Sequence, residues 1–415
     1  MGAFEWAKIV YGILFCMAAP ISKNVFHKIF NSIKAGGATL TYPDNTTVIY
    51  GDPAQADKLH VRFHTASALR AVVKNPSVGF GEKYASSEIT FENGGFDELV
   101  YMLDANKQRL AAWFRNPIIY HLGRASTKAV QRKNISAHYD IGNDFYKLWL
   151  DKSMTYSCAY FKKSTDTLEQ AQAQKVEHIL HKLNLKKGMS LLDIGSGWGT
   201  LLIAAAQKYG VMGLGITLSS EQLAHSTIAA KKAKVDHLIK FELANYQDLP
   251  ARNLKFDRIV SVGMFEHVGK VDAPKYFEVV SDLLHEGGVS VLHTISTRDF
   301  HGGGDAWIDK YIFPGGYIPA IREINNLLPK YDLTPIDYES LRIHYAMTLD
   351  EWHHRYVLHE KTIRKQRGDF FYLTWEMYLA SCAANFRAGG IDLSQFILVK
   401  GISNKLPLTR KYMYT

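Results

Sequence analysis

Apolar and polar positions follow two different patterns along the 415-residue chain. Residues 1–35 show helical periodicity, and residues 38–51 (ATLTYPDNTTVIYG) read as strand, turn and strand, the pattern of a β-hairpin. Beyond residue 185, short apolar runs such as SLLDI, GLGITL and FDRIVSV alternate with helical stretches such as TLLIAAAQKY. Such alternation is typical of a mostly parallel sheet with helices on both faces. The pattern predicts a small α+β domain followed by a larger α/β domain.

The length of the chain allows two or three domains at about 150 residues per domain. We predict an N-terminal domain over residues 1–115, a basic linker over 116–130 and a catalytic domain over 131–415. The longest apolar run near the start, residues 9–19, is shorter than the ~18–20 residues of a membrane-spanning helix. It lacks a strongly basic preceding stretch and a small-residue cleavage site, so a buried or surface-lying helix is favoured over a targeting signal.

Composition and charge narrow the class of partner. Apolar residues make up 47% of the chain, which excludes disorder and coiled coil as whole-chain classes. Subtracting 40 acidic from 49 basic residues leaves a charge of +9, which favours an anionic partner. Residues 105–139 contain seven basic residues, aromatic residues and no acidic one. This segment fits either a solvated linker or a face on anionic lipid headgroups, at ~1 kcal/mol per basic residue; nucleic acid is disfavoured because no recognised binding motif accompanies it.

The three cysteines give little sign of a covalent or metal framework. Cys16, Cys158 and Cys382 are widely separated, and no C-x-x-C pair occurs. An odd and small number of cysteines argues against a disulfide scaffold and against a structural zinc site. A reducing cytoplasm is therefore the simplest compartment, and we predict no metal centre.

A glycine-rich loop is the sharpest chemical motif. Asp193, Gly195, Gly197 and Gly199 follow a hydrophobic strand and precede a helix. Glycines allow a ligand close to the backbone, and a helix N-terminus favours negative charge. A dinucleotide site would need glycine or alanine where Thr200 stands. The pattern instead resembles the S-adenosylmethionine (SAM) loop of methyltransferases, with the aspartate near the cationic part of SAM; a tight turn without a ligand is the alternative.

The second predicted strand departs from the usual methyltransferase pattern. It ends in Gly215-Ile216-Thr217-Leu218, without the acidic residue that ordinarily contacts the ribose hydroxyls. Thr217 and Gln222 can supply hydrogen bonds there but no charge. Ser219 and Gln222 also have the spacing of a helix capping box, so Gln222 has a structural interpretation beside the cofactor-binding one.

Several segments together resemble the cyclopropane-fatty-acyl-phospholipid synthases and the mycolic-acid cyclopropane synthases. The resemblance extends over about residues 130–400 and is weaker in the N-terminal domain, where it rests mainly on SVGFGEKYASSEI. It implies a Rossmann-like SAM methyltransferase domain with a mostly parallel seven-stranded sheet, preceded by a smaller α+β lipid-binding domain. The matching segments are HYDIGNDFYKLWLD, MTYSCAYF, LLDIGSGWG, GITLSSEQ, FDRIVSVGMFEHVG, LHTIS, YIFPGGYIP, HYAMTLDEW and SCAANFR.

The resemblance implies a reaction in which the methyl carbon of SAM is attacked by a cis double bond of a phospholipid acyl chain. A carbocation forms, bicarbonate accepts a proton from the new methyl group, and the ring closes. The bicarbonate holders would be Cys158, Glu266, His293 and Tyr345, with the backbone of Ile295. Each also has a structural interpretation: a buried thiol, a turn cap, a core histidine or a packed tyrosine.

The resemblance also implies further site residues. Cys382 corresponds to a cysteine once treated as a nucleophile; we keep it as a weak candidate and favour packing, because SAM already carries an activated methyl group. His138 and Tyr139 are expected on the substrate side. The expected SAM contacts outside the glycine loop and the second strand are Tyr156, Ser157, Tyr246 and Gln247.

The expected partners follow from this chemistry. They are an unsaturated phospholipid, an anionic bilayer contacted peripherally from the cytoplasm, and a second copy in a homodimer. Three alternatives stay open: a related SAM-dependent lipid alkene methyltransferase that leaves a methyl branch or methylene, a lipid-binding protein without turnover, and a small-molecule methyltransferase. The whole set of bicarbonate holders favours the ring.

Overall fold

The computed structural model describes residues 19–114, 141–299 and 301–414. The predicted elements of residues 1–18, the predicted linker, His138 and Tyr139 lie outside this description. The chain divides into two compact units, which we call the first and the second unit. The first unit comprises residues 1–120, 305–311 and 359–388, and the second comprises residues 121–304, 312–358 and 389–415. Two segments of the predicted catalytic domain, 305–311 and 359–388, thus belong to the first unit.

The described strands form one four-stranded and one seven-stranded sheet. We number them in chain order: β1 Gly37–Thr41, β2 Thr47–Gly51, β3 His60–Phe63, β4 Ile89–Asn93, β5 Ser190–Ile194, β6 Met212–Thr217, β7 Ile239–Leu243, β8 Phe256–Val262, β9 Leu284–Ser296, β10 Leu333–Ser340 and β11 Asp392–Lys400. The larger sheet has the order β10-β11-β9-β8-β5-β6-β7. Strand β11 is antiparallel to both of its neighbours, and the pairs from β9 to β7 are parallel. The predicted mostly parallel seven-stranded sheet is confirmed.

The described α-helices are numbered in the same way. They are α1 Ala19–Phe30, α2 Ala66–Lys74, α3 Pro76–Ala85, α4 Phe96–Ala105, α5 Lys107–Phe114, α6 Asn143–Tyr146, α7 Leu168–Lys182, α8 Thr200–Tyr209, α9 Ser220–Lys232, α10 Ala273–Leu283, α11 Ala306–Tyr311, α12 Ile321–Leu327, α13 Arg342–Leu358, α14 Glu360–Arg367 and α15 Asp369–Ala388. Short 3-10 helices lie at Ala56–Lys58, Tyr246–Asp248, Pro250–Arg252, Phe265–His267, Leu328–Tyr331 and Arg410–Met413. Across the described ranges, no helix is both long and apolar enough to span a membrane.

The first unit is built on the predicted hairpin. Strands β1 and β2 pair antiparallel, with Gly37 opposite Gly51, and β3 joins β1 in parallel. The Phe26 and Phe30 rings stack at 4.3 Å in its apolar core. Helices α11, α14 and α15 belong to this unit although they come from the C-terminal half of the chain. The hydrogen bond from Tyr84 to Glu376, 2.6 Å long, is one link between these distant segments.

The second unit buries both faces of its sheet. Leu191 and Leu192 are adjacent on β5, both are fully buried, and they belong to different apolar clusters. Successive strand residues point to opposite faces, so the apolar run that predicted a buried parallel strand supplies both clusters. The parallel strands β5, β6, β8 and β9 end at one edge of the sheet, the place where open α/β sheets bind ligands.

Candidate active site

A cavity opens at the carboxyl edge of the sheet in the second unit. It encloses about 1100 Å³, including open solvent at its mouth, which is room for a nucleotide-sized ligand. Its walls come from the loop at residues 154–157, helix α7, the glycine loop after β5, the end of β6, the 3-10 helix Tyr246–Asp248 and the loop after β8. The cavity therefore lies where the glycine motif predicted a cofactor.

The loop glycines differ in what surrounds them. Gly195, Gly197 and Gly199 all have positive φ angles, of 83°, 55° and 91°. A Cβ atom at Gly197 would meet nothing within 4 Å, and this residue lines the cavity. A Cβ atom at Gly199 would lie 2.8 Å from the Phe241 ring and 2.9 Å from Ser226. Gly197 faces ligand space, whereas Gly199 allows α8 to pack closely on its neighbours.

Most of the predicted cofactor residues meet in this cavity. Gln247 and Gly199 are not among its lining residues in the described part of the chain; the Gln247 amide donates to the Tyr246 hydroxyl at 3.3 Å. Both have local roles in the structure, in orienting a neighbour or in packing. The predicted residues that line the cavity are Tyr156, Ser157, Asp193, Gly195, Gly197, Thr217, Gln222 and Tyr246.

The polar end of β6 is organised by its own side chains. The Thr217 hydroxyl donates to Gln222 Oε1 at 2.7 Å, and Ser219 Oγ accepts from the Gln222 backbone N–H at 3.3 Å. The N-cap contact anticipated for Ser219 is therefore present, and the Gln222 side chain is also held beside the cavity. The Ser219 half of the predicted capping box is thus present, whereas the Ser219 N–H donates to Thr217 Oγ1 at 3.2 Å and the Gln222 side chain contacts Thr217.

Opposite charges line the same cavity. Burial raises the pKa of Asp193 to about 7, although the nearby Lys175 ammonium opposes the shift. Burial lowers the pKa of Lys175 to about 8, and its Nζ donates to Ser157 Oγ at 2.8 Å. The sequence analysis missed Lys175. The available signal was the 3–4-residue spacing of polar residues within the buried face of α7, where Gln172, Lys175, His178 and Lys182 lie beside apolar residues such as Leu168, Ala171 and Ile179.

A second group of predicted residues lies at the ends of β8 and β9. Glu266 belongs to the 3-10 helix after β8, between the cavity-lining Met264 and His267. Glu266 Oε1 accepts from the Ile295 backbone N–H at 2.6 Å. Glu266 Oε2 and His293 Nε2 are buried and have no hydrogen-bond partner among the described residues. We call Glu266, His293 and Ile295 the acid–imidazole cluster.

Burial sets the protonation of this cluster. It raises the pKa of Glu266 to about 7, against the opposing hydrogen bond from Ile295. It also holds the pKa of His293 well below the usual value, so the imidazole is neutral near pH 7. The Ile295 N–H, expected at the anion itself, donates to Glu266 and orients that carboxyl group. The two unpartnered atoms suit a small ligand that has both an O–H group and acceptor oxygens.

Cys158 and Tyr345 approach the same edge of the sheet through backbone links. Leu341 pairs its N–H with the carbonyl of Leu393, which lies opposite Ile295 on β9. The Cys158 thiol donates to the Leu341 carbonyl at 3.9 Å and to the Ala159 carbonyl at 3.2 Å. Burial raises the pKa of Cys158, so it is a neutral thiol. Tyr345 lies in the first turn of α13, and its backbone N–H donates to the Leu341 carbonyl at 3.0 Å.

An aromatic group joins the cavity to α13. The Tyr156 ring lies 5.2 Å from Trp352 and 5.3 Å from Trp149, and Tyr345 lies 6.1 Å from Trp352 in an edge-on arrangement. Aromatic faces attract cations and exclude water. These rings therefore suit a site that must accommodate positive charge in dry surroundings.

Cys382 belongs to the first unit, on α15, whereas the other predicted catalytic residues belong to the second. Burial raises its pKa to about 12, so it is not a thiolate at neutral pH. The residues that the structure describes contain no group of three or more His, Cys, Asp or Glu residues arranged to hold a metal ion.

Comparison with known proteins finds two matched stretches of the chain. The family model described as "Mycolic acid cyclopropane synthetase" matches residues 126–396. A model for a domain of unknown function matches residues 25–112. The cyclopropane-fatty-acyl-phospholipid synthase of Escherichia coli (strain K12) is 40% identical over 273 residues, which cover 66% of this chain and 69% of that protein.

Two further likenesses bear on substrate and cofactor. The tuberculostearic acid methyltransferase of Mycobacterium tuberculosis is 33% identical over 425 residues and is matched over 95% of this chain and 94% of its own length. The structure of mycolic acid cyclopropane synthase CmaA1 complexed with SAH and CTAB has a TM-score of 0.61 and 34% identity. That match covers 65% of this chain and 98% of the other.

Proposed function

The chain belongs to the mycolic acid cyclopropane synthetase family, and from this premise we propose that it converts a cis double bond of an unsaturated phospholipid acyl chain into a cyclopropane ring. The coarser activity is SAM-dependent methyl or methylene transfer to lipid acyl chains. The observation that supports formation of a ring is a pair of buried atoms without a hydrogen-bond partner in the described structure, Glu266 Oε2 and His293 Nε2. An unactivated alkene gives a cationic intermediate, and its fate depends on a base held away from water.

SAM, when bound, supplies an electrophilic methyl group. We assign its cationic part to the neighbourhood of Asp193 and its amino-acid end to Gly195 and Gly197, with the remaining cavity residues around it. The Gly197 backbone supports this assignment because space is open beside it. Lys175 adds a buried ammonium group to the same wall, which suits a ligand that carries a carboxylate as well as a cation.

We assign the base to a bicarbonate ion, which supplies a proton acceptor beside the reacting carbon. Glu266 and His293 would hold it through their unpartnered atoms, because an O–H group and acceptor oxygens satisfy a carboxyl group and an imidazole together. Ile295 keeps Glu266 in place through its N–H. Cys158 and Tyr345 complete the proposed surroundings, the first as a neutral thiol and the second as a phenol donor.

The proposed reaction also requires that the alkene is held in the correct orientation and that water is excluded from the site. The alkene is a weak nucleophile, so the rate depends on holding it against the methyl group. Tyr156 lines the cavity, and the buried rings of Trp149 and Trp352 pack against it, which supports this proposal because they keep that wall of the cavity apolar. Their π faces also favour the positive charge that develops on the acyl chain.

We propose that the acyl chain comes from a bilayer that the protein contacts peripherally from the cytoplasm. The net charge of +9 and the basic run in residues 105–139 support contact with anionic headgroups. A homodimer would double this contact and increase the avidity for vesicles. Reduced vesicle binding in a variant that neutralises Lys107, Arg109 and Arg115, with a larger loss at low salt, would support the basic run as the contact.

One alternative has a specific observation in its favour. The relative matched over most of the chain is named for tuberculostearic acid, so a product other than a ring is a real second candidate. In that reaction the same cation would lose a proton to leave a methylene group or a methyl-branched alkene, and a saturated methyl branch would need a further hydride donor. The acid–imidazole cluster favours the ring, because a base fixed beside the cation removes a proton from the new methyl group early.

Product analysis decides between the two. The purified protein is incubated with SAM and vesicles of unsaturated phospholipid, the alkenes are mildly oxidised, and the acyl chains are weighed by mass spectrometry. Chains heavier by one CH2 unit that resist oxidation are the expected result. Chains heavier by one CH2 unit that still oxidise indicate a methylene group or a methyl-branched alkene; the assay holds no hydride donor, so a saturated branched chain is not among the expected products. Unchanged chains despite SAM binding would overturn the lipid proposal.

A further inference from the structure

Three polar side chains lie side by side across the buried sheet of the second unit. Glu339 on β10 is opposite Gln395 on β11, and Gln395 is opposite His293 on β9. Gln395 is completely buried and His293 is 1% exposed. A buried polar row costs free energy unless each member is hydrogen-bonded, so its pattern of donors and acceptors is informative.

The Lys182 ammonium group fixes which way the Gln395 amide is oriented, and so which atoms in the row donate and accept. Lys182 on α7 donates from Nζ to Gln395 Oε1 at 2.6 Å, and an ammonium group has no acceptor. The amide oxygen of Gln395 therefore faces Lys182, and its NH2 group faces His293 Nδ1 at 2.9 Å. The reverse orientation would place two donors against each other in a buried site. Nδ1 of His293 thus accepts, and the single proton of the neutral ring lies on Nε2.

The lysine itself is held firmly. Glu339 accepts from Lys182 and also from His178 Nε2 at 2.7 Å, and His178 Nδ1 lies 3.1 Å from the Met413 carbonyl. Although burial opposes the shift, His178 and Lys182 lower the pKa of Glu339 to about 2. The pKa of His293 is lowered mainly by burial. The positive charges of Lys175, Lys182 and His178 lower it further. The row therefore keeps a charged anchor at one end and a neutral imidazole at the other.

We propose that Gln395, anchored by Lys182, is a positioning residue that fixes His293 in the Nε2–H tautomer, so that this proton is available to the anion at the acid–imidazole cluster. The catalytic part of this inference rests on the proposed function. In metal sites, residues that orient a ligating histidine through its second nitrogen commonly change activity by about 10–100-fold when altered, and we take that range as the guide here. A Gln395 side chain acting only through packing would not control the tautomer.

The decisive variant is Gln395→Glu, which has nearly the same shape. A carboxylate would accept from both Lys182 and His293, so the His293 proton would move to Nδ1. Nitrogen NMR of the full-length, histidine-labelled protein distinguishes the two nitrogens, with His293→Gln assigning the signals. The expected result is a protonated Nε2 in the unmodified protein and a protonated Nδ1 in Gln395→Glu.

The kinetic expectation is a split between rate and binding. In Gln395→Glu, kcat should fall by about 10–100-fold while SAM affinity and the thermal unfolding midpoint stay close to those of the unmodified protein. Gln207→Glu, the same chemical change on the exposed part of α8, is the matched control and should change neither. If Gln395→Glu does not fold, Lys182→Met serves instead: it frees the amide to turn and should give a mixture of tautomers with reduced kcat.

The outcomes separate the inference from the proposed function. A His293 proton on Nδ1 in the unmodified protein, or an unchanged tautomer in the folded variant, overturns the inference whatever the enzyme makes. A changed tautomer with unchanged kcat overturns its catalytic part. If the products are methylated alkenes and no rings, the ring proposal fails, and the inference then stands or falls by the effect of Gln395→Glu on that methylation rate.

Discussion

The cofactor cavity and the acid–imidazole cluster share one edge of the sheet but differ in how their polar groups are satisfied. In the cavity, side chains already pair with one another, as Thr217 does with Gln222 and Lys175 does with Ser157. In the cluster, Glu266 Oε2 and His293 Nε2 are buried without a partner in the described structure. Unpaired buried polar atoms are costly, and a bound ligand with matching donors and acceptors would remove that cost at these two atoms.

This contrast predicts that changes in the two places affect different measured quantities. A wall whose polar groups are paired can tolerate the loss of one contact, because its neighbours keep the shape of the cavity. A cluster with unpaired atoms depends on a few groups that must be placed correctly for one proton transfer. Changes in the cavity should therefore alter mainly SAM affinity, and changes in the cluster should alter mainly kcat.

The largest expected effect is that of Glu266→Gln. The amide keeps the shape but loses the carboxyl group, so kcat should fall by at least ~100-fold, within the range for loss of acid–base catalysis. SAM affinity, measured by calorimetry, should be unchanged. Glu286→Gln, on an exposed residue of β9, is the control. Turnover like that of the unmodified protein would remove Glu266 from any role in holding the base.

The next largest effect is a difference between two glycines of the loop, Gly197 beside ligand space and Gly199 in a packed position. Gly197→Ala and Gly199→Ala each place a side chain at a positive φ angle, which costs about 1–3 kcal/mol. Gly197→Ala should reduce SAM affinity by about tenfold or more, equivalent to ~1.4 kcal/mol, since its methyl group enters ligand space. Gly199→Ala should instead lower the unfolding midpoint further, because it also meets Phe241 and Ser226. Equal midpoints in calorimetric scans would contradict the assignment.

A smaller effect concerns pH. With its pKa near 7, Asp193 becomes neutral as the pH falls, and a neutral carboxyl group no longer attracts the cationic part of SAM. Affinity should therefore weaken below about pH 7 by up to tenfold per pH unit. Titration from pH 7.0 to 5.5 keeps Lys175 mostly protonated, since its pKa is about 8. Asp193→Asn should bind SAM weakly and independently of pH in this range; a pH response identical to that of the unmodified protein would assign the titration to another group.

The smallest effect is expected for Cys382. Its raised pKa leaves almost no thiolate at pH 7.5, so Cys382→Ser should keep kcat within about twofold. Alkylation by iodoacetamide, followed by intact mass, should be slow in the folded protein. A loss of turnover with normal folding would restore the nucleophile hypothesis.

Much of the fold followed from local pattern. The runs SLLDI and FDRIVSV became β5 and β8, and the Pro-Asp-Asn turn became the β1–β2 hairpin. The cofactor cavity was also predictable, because Asp193 at the end of β5 and the glycines of the following loop lie close together in the chain. The membership of α14 and α15 in the first unit was missed, because helical periodicity shows that a helix has an apolar face and not which unit covers it.

The sequence by itself determined the elements, the glycine loop and the family resemblance, because each depends on residues close together in the chain. Only the tertiary structure decided that Lys175 enters the cofactor cavity, that the Ile295 N–H contacts Glu266, and that Lys182, Gln395 and His293 form a hydrogen-bonded row. Gln395 and His293 are 102 residues apart and meet only because β11 inserts antiparallel between β10 and β9. Strand order and register are set by the packing of the whole sheet, and they bring such distant side chains into contact.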